Sequence, residues 1–338
     1  MKISYKVYHL PFTHPFTISK GTKTHQPTLI VKLQHFALSG FGEAPAIAYY
    51  NIPVEKMVAD LEAKRSFIEK FAFTDPDRFW HFLHHLFPNN PFLVCALDMA
   101  AWDIYGKIKR QPLHAWWKFN LGNTPLTDFT IGIDSIEKMA LKIKENPFPI
   151  YKIKVGMEGD VETVAALKKL TGATFRVDAN AGWTLDEAKI KIPQLHALGV
   201  ELIEQPIDKN DWEGMRQLHA MSPVPLIADE ACVFEQDVEK CVGHFSGINI
   251  KLTKCSGITP ALRMITQAKN LGLKIMLGCM NETFVGSAAI AQLAPQANYL
   301  DVDGPLLLSE NIGKSIEYNK GEIVYPATHG LGVTEVNF

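Results

Sequence analysis

The chain has 338 residues, 47% of them hydrophobic, and 34 basic side chains against 36 acidic ones, a formal charge of −2. That length can bury a large core in one or two domains. The near-neutral charge gives no general pull on nucleic acid or on an anionic membrane surface, and no apolar run reaches the roughly 18 to 20 residues of a membrane span. The first residues, "MKISYKVYHLPFTHPF", lack the continuous apolar stretch of a signal peptide. The five scattered cysteines form no C-x-x-C pair, so reduced thiols and a cytoplasmic location are expected.

Residues 1–120 read as an α+β module. "ISYKVYHL", "PTLIVKLQH" and "SGFGEAP" have the alternation and turn residues of antiparallel strands. "VEKMVADLEAKRSFIEKF", "DRFWHFLHHLF" and "LVCALDMAAWDIYGK" read as helices. His81, His84 and His85 have near-metal spacing but no acidic or cysteine partners close in sequence, and read as a solvated helix face.

From about residue 126 a different pattern repeats. β-rich runs occur at "DFTIGI", "YKIKVG", "FRVDAN", "ELIEQP", "PLIADE", "INIKL", "KIMLGC" and "NYLDVDG", with helical segments between them. Eight strand–helix units at an even period predict a parallel (β/α) barrel. An open doubly wound sheet is the alternative; it rarely repeats so evenly, and no G-x-G-x-x-G follows an early strand. The expected organisation is a capping module over 1–120, a barrel over 121–310 and a segment, 311–338, that returns to the capping module.

In such barrels the chemistry sits at the C-terminal ends of the strands. Here Asp178, Glu204 and Asp229 fall at the ends of three successive strands. Strands lie roughly 5 Å apart, so the three acids would repel one another unless a cation neutralised them. An all-oxygen set suits Mg²⁺, which keeps positions free for water or substrate. Lys152 and Lys154 lie two apart on the second strand and so share a face. Lys251 ends the sixth strand, which an eight-stranded barrel places opposite the second. Two lysines flanking one carbon, with a metal beside its carboxylate, form an arrangement for moving a proton. A lysine of ordinary pKa, about 10.4, is a poor base at neutral pH. A like charge from Lys152 and a nearby cation would disfavour the charged form of Lys154, as general-base catalysis requires. Lys254 is the alternative to Lys251, but falls beyond the strand. Asp301 and Asp303, two apart on the last strand, face the strand of Glu204 and would attract a cation.

The motifs "KIK", "DAN", "IEQP", "ADE" and "NIKLTKCSGI" together resemble the enolase superfamily, in its muconate-cycloisomerase-like subgroup, over nearly the whole chain. "DVDG" is similar to the D-x-D of its dipeptide epimerases, where that motif holds the free amino group of the dipeptide. The resemblance implies a modified TIM (β/α)-barrel under an N-terminal α+β capping domain. It implies Lys154 and Lys251 as the acid/base pair, and Asp178, Glu204 and Asp229 as ligands of Mg²⁺. Thr130, Lys152, Cys279, Asp301 and Asp303 would contact a dipeptide, the small-molecule partner. The implied reaction is inversion of the α-carbon of the C-terminal residue through an enediolate. The alternative in the same superfamily is an N-succinylamino acid racemase or o-succinylbenzoate synthase, whose substrates carry no ammonium for Asp301 and Asp303. Gly21 stands where Ala-Glu epimerases carry an Arg in the capping loop; Lys20 or Lys23 could substitute, but nothing in the sequence aims them, which leaves the preferred dipeptide open. A homo-oligomer is compatible with the sequence.

Overall fold

The computed structural model describes residues 1–336 and 338. The chain opens with an antiparallel sheet of β1 (Lys2–Ile18), β2 (Gly21–His35) and β3 (Leu38–Pro45), in that order. β1 and β2 pair in register from Lys2↔Gln34 to Pro11↔His25, then shift before Phe16↔Lys23. Pro11 and Pro15 offer no N–H to the ladder, which is where an edge strand tolerates an irregularity. The hairpin they form continues past the sheet and its tip, Ser19–Gly21, overhangs the barrel mouth.

Three helices follow: α1 (Val54–Lys70), α2 (Pro76–Leu86) and α3 (Pro91–Lys109). Asp75 and Asn90 cap α2 and α3, each followed by proline at the first position, where the missing N–H has no partner to lose. Most of α3 is buried. It lies between β3 and the barrel, so all but its last turn meets protein rather than water. β3 approaches it closely. A Cβ on Gly40 or Gly42 would fall 2.1 Å from the Ala100 carbonyl oxygen or 1.9 Å from that of Ala96.

The barrel strands are β4 (Phe129–Ile131), β5 (Ile150–Lys154), β6 (Thr174–Asp178), β7 (Val200–Glu204), β8 (Leu226–Ala228), β9 (Gly247–Lys251), β10 (Lys274–Gly278) and β11 (Tyr299–Asp301). They form one parallel sheet in chain order, closed between its ends by a bridge from Thr127 to Leu300. This is the parallel barrel expected from the repeat. The short strands β12 (Glu317–Asn319) and β13 (Glu322–Val324) make a hairpin of their own, whose Gly321 carbonyl accepts from Thr127 N. The chain then reaches α3, where Leu331 N donates to Asp103.

Candidate active site

Register sets the site. Lys154, Asp178 and Glu204 are paired neighbours across β5, β6 and β7. Lys251, Gly278 and Asp301 are paired neighbours across β9, β10 and β11. β5 and β9 lie four places apart in the eight-strand order, so Lys154 and Lys251 enter from opposite walls. Both line one cavity of about 510 Å³ at the strand ends, with Thr130, Lys152, Asp229, Cys279, Asp301 and Asp303. The capping module closes it with Phe16, Ile18, Lys20, Gly21, Tyr49 and Tyr50.

Asp178 and Glu204 are fully buried and stand behind the lysines. Lys154 Nζ lies 2.5 Å from Asp178 Oδ2. Lys152 Nζ lies 2.7 Å from Asp301 Oδ2, 3.1 Å from Asp178 Oδ2 and 2.6 Å from Glu204 Oε2, the last an ion pair without hydrogen-bond geometry. Lys251 Nζ meets Asp229 Oδ2 at 2.9 Å. Asp229 lies just past β8, where Gln205 Oε1 accepts from both Asp229 N and Ala231 N at 3.1 Å.

Two details differ from the sequence reading. Lys152 is not a bare like charge beside Lys154. Burial disfavours its ammonium, but Asp301, Glu204 and Asp178 outweigh that and raise its pKa. Asp303 is not on the last strand. β11 ends at Asp301, and Asp303 sits at the start of the short helix Gly304–Leu307, where its Oδ2 accepts from Thr130 N. Burial and the neighbouring Asp301 push Asp303 up to about 7, whereas Asp301, buried but facing Lys152, is lowered. The two ends of the cavity are also closer than opposite strands suggested, since the one Lys152 ammonium touches acids of both.

The acids fit a hard divalent cation in their chemistry. They are all-oxygen donors on adjacent strands, and burial beside Asp178 pushes Glu204 up to about 7 even with Lys152 in contact. Near them Asn180 Oδ1 and Glu230 Oε2 are buried without a hydrogen-bond partner. Their oxygens do not converge as they stand, because the lysines lie between them. Among the described residues the group whose donor atoms fall within 4.8 Å of one another is Cys279, Asp301 and Asp303. A thiol is a poor ligand for Mg²⁺, so the three strand-end acids remain the better set. Lys251 is likewise raised: burial works against its charge, and Asp229 and Glu204 more than restore it.

The aromatic pair Tyr49–Tyr50 was not picked out from sequence, though a doublet just after a strand end was its signal. Lys20 has no direction from sequence alone. Its Nζ lies 4.0 Å from the Tyr49 ring centroid and 3.6 Å from Glu230 Oε1, which aims it at the cavity mouth.

Residues 2–116 match the N-terminal domain model of the mandelate racemase / muconate lactonizing enzyme family, and residues 135–335 match the enolase C-terminal domain-like model. The chain is 47% identical over 334 residues to the L-Ala-D/L-amino acid epimerase of Flavobacterium johnsoniae, covering 99% of each. It is 48% identical over 335 residues to the protein of that name from Maribacter sp., again covering 99% of each. Its structure aligns with the dipeptide epimerase of Cytophaga hutchinsonii, solved with Mg and the dipeptide D-Ala-L-Val. The TM-score is 0.91 at 27% identity, covering 99% of this chain and 96% of that one. With both halves of the architecture matched, the chain belongs to the mandelate racemase / muconate lactonizing enzyme family of the enolase superfamily.

Proposed function

We propose that this protein is a Mg²⁺-dependent dipeptide epimerase that inverts the α-carbon of the C-terminal residue by two-base proton transfer. The observation that carries the reading is the placement of Lys154 and Lys251 on opposed strands of one closed cavity, with paired acids at each end. Asp178, Glu204 and Asp229 would hold the metal. When bound there, Mg²⁺ supplies positive charge beside the substrate carboxylate and draws the acids' negative charge away from the lysines, the direction a general base needs. Asp301 and Asp303 receive the ammonium of the dipeptide. One lysine takes the α-proton from its face, leaving an enediolate, and the other returns a proton to the opposite face. Lys152, charged at the cavity floor, orients the carboxylate end. The capping residues exclude water above.

An ammonium-binding pair at the far end favours a free dipeptide over an N-succinylamino acid. The five cysteines are all unpaired, which fits a reducing, cytoplasmic setting. No helix of the described residues is long and apolar enough to cross a membrane.

The test is incubation with a dipeptide library in D₂O, followed by mass spectrometry and chiral analysis. Incorporation of one deuteron together with appearance of the second epimer is expected, and exhaustive chelation should abolish both until Mg²⁺ is restored. Faster turnover of an N-succinylamino acid than of any free dipeptide would move the function to the racemase or synthase reading.

A further inference from the structure

The turn that follows Lys251 carries a second lysine with no part in the scheme above. Lys254 lies in the short helix Leu252–Cys255, is 1% exposed and does not line the cavity. Its Nζ is caged by four oxygens: Asp229 O and Asp229 Oδ1, both at 2.6 Å, and Cys232 O and Asn249 O, both at 3.0 Å. An ammonium has three N–H groups and no lone pair, so every hydrogen is committed and none is left for substrate. A buried ammonium is expensive unless fully paired, and packing alone would be met by a neutral side chain.

We infer that Lys254 is a positioning residue that divides the carboxylate of Asp229 between two tasks. Lys254 fixes Oδ1, so Oδ2 alone is turned toward Lys251, at 2.9 Å, and toward the cavity. The same ammonium ties the loop after β8, through Asp229 and Cys232, to β9, through Asn249. It therefore sets the acid and Lys251 relative to each other. The far side of this turn is held as well. Ser256 and Gly257 have φ of 74° and 134°, and Trp80 Nε1 donates to Ser256 O at 3.0 Å. Lys254 has no room to drift.

The inference rests on reading Asp229 as a metal ligand and Lys251 as a base, and the test separates the two. Lys254→Met and Lys254→Gln are compared with wild type for Mg²⁺ affinity by calorimetry without substrate. The second readout is α-deuterium exchange from each epimer, the Lys251 face being the one lost in Lys251→Ala. Outer partners of metal ligands typically change metal affinity or activity about 10- to 100-fold. A loss of Mg²⁺ affinity in that range is expected for Lys254→Met and a smaller one for Lys254→Gln, which keeps an N–H for Oδ1. Exchange at the Lys251 face should fall more than at the Lys154 face, in kcat rather than KM. If Lys254→Met does not fold, Lys254→Gln decides alone. Unchanged affinity and unchanged face ratio, with only a lowered Tm, would show a purely structural lysine. Tighter Mg²⁺ binding would show a charge shield and overturn positioning. Wild-type protein that neither binds Mg²⁺ nor exchanges the α-proton overturns the underlying reading, and the inference with it.

Discussion

The two lysine-bearing strand ends, β5 and β9, solve one problem in different ways. On β5 the lysines are two residues apart, stay on the strand and share the cavity, with Lys152 at its floor and Lys154 on its wall. On β9 they are three apart. The strand ends at Lys251 and the next turn carries Lys254 behind Asp229, out of the cavity. Their supports differ too. The loop after β5 is held from within the barrel by Asp160, which accepts from Gly156 N at 3.1 Å, Met157 N at 3.0 Å and Trp183 Nε1 at 2.7 Å. The segment after β9 is held from the capping module. Asp98 accepts from Thr259 N at 3.0 Å and Thr259 Oγ1 at 2.7 Å, and Trp102 Nε1 donates to Thr259 Oγ1 at 2.9 Å. One residue of spacing thus decides whether the second lysine meets the cavity or the scaffold, and the scaffold decides which module supports each strand end.

The sharpest way to break this comparison is to remove each base in turn. Lys154→Ala and Lys251→Ala should each stop epimerisation, with losses of about 10²- to 10⁴-fold. Each should still exchange the α-proton of one epimer in D₂O, and the two should keep opposite epimers. Near wild-type epimerisation by either variant removes that lysine from the mechanism.

Asp303 lies at neither of the two lysine-bearing strand ends, and its loss should not discriminate between faces. A charge-assisted hydrogen bond contributes roughly 1.5 to 3 kcal/mol, so Asp303→Asn should raise KM for free dipeptides by about 10- to 150-fold for both epimers alike. Since burial and Asp301 push this carboxyl up to about 7, it is increasingly protonated below that pH and takes an ammonium less well. KM in the wild type should therefore fall as pH rises through about 7, and the slope should flatten in Asp303→Asn. A steep slope that survives the substitution would assign the titration elsewhere.

A smaller effect separates the two scaffolds. Removing a side-chain acceptor from a helix N-terminus typically costs about 0.5 to 2 kcal/mol; the helix Ile258–Asn270 has none from its own N-cap, Gly257, and Asp98→Ala takes the one supplied from outside. It should lower Tm and reduce exchange at the Lys251 face by a few-fold while sparing the Lys154 face. Asp160→Ala should show the reverse preference. Equal losses at both faces in either variant would mean that the two bases share their support.

The smallest effect is expected at the mouth. Lys20→Ala should leave exchange of a dipeptide with an apolar C-terminal residue within about two-fold, since Lys20 is itself partly exposed and only its partner Glu230 is buried. It should weaken a dipeptide ending in an acidic residue somewhat more, measured as the ratio of kcat/KM values. No change in that ratio would leave Lys20 a bystander over Tyr49.

The barrel and its acids were legible because both depend on local order: strands about two dozen residues apart, with a charged residue at or just past the end of six of the eight. Asp178, Glu204 and Asp229 announce themselves by occurring at matching places in successive repeats. Asp303 misled, because a period of two assumes that the strand continues, and here it stops at Asp301. Lys20 could not be aimed from sequence, since its direction comes from a hairpin tip where Gly21 has φ of 134°. An L-residue is strained in that backbone region, so an arginine at that position would need a different turn. Asp98 was invisible for a further reason. Its partner Thr259 lies 161 residues away, and no local pattern encodes such a pair.

Asp98 is not the only acid of the capping module that ends a barrel helix. Glu43, at the end of β3, accepts from Thr283 Oγ1 at 2.6 Å and from Gly286 N at 3.0 Å, at the start of the helix Phe284–Ala291. The consequence concerns modularity. A barrel made without its first 120 residues would bare the N-termini of two of its helices, one after each of β9 and β10, while the free capping module would carry two buried carboxylates stripped of their barrel donors. Glu43 would keep only Thr28 Oγ1, at 2.9 Å, from within its own module, so neither half is a self-sufficient part. A chimera that exchanges capping modules to change substrate choice would have to bring Glu43 and Asp98, or equivalents at the same places, as the plugs that fit the recipient barrel.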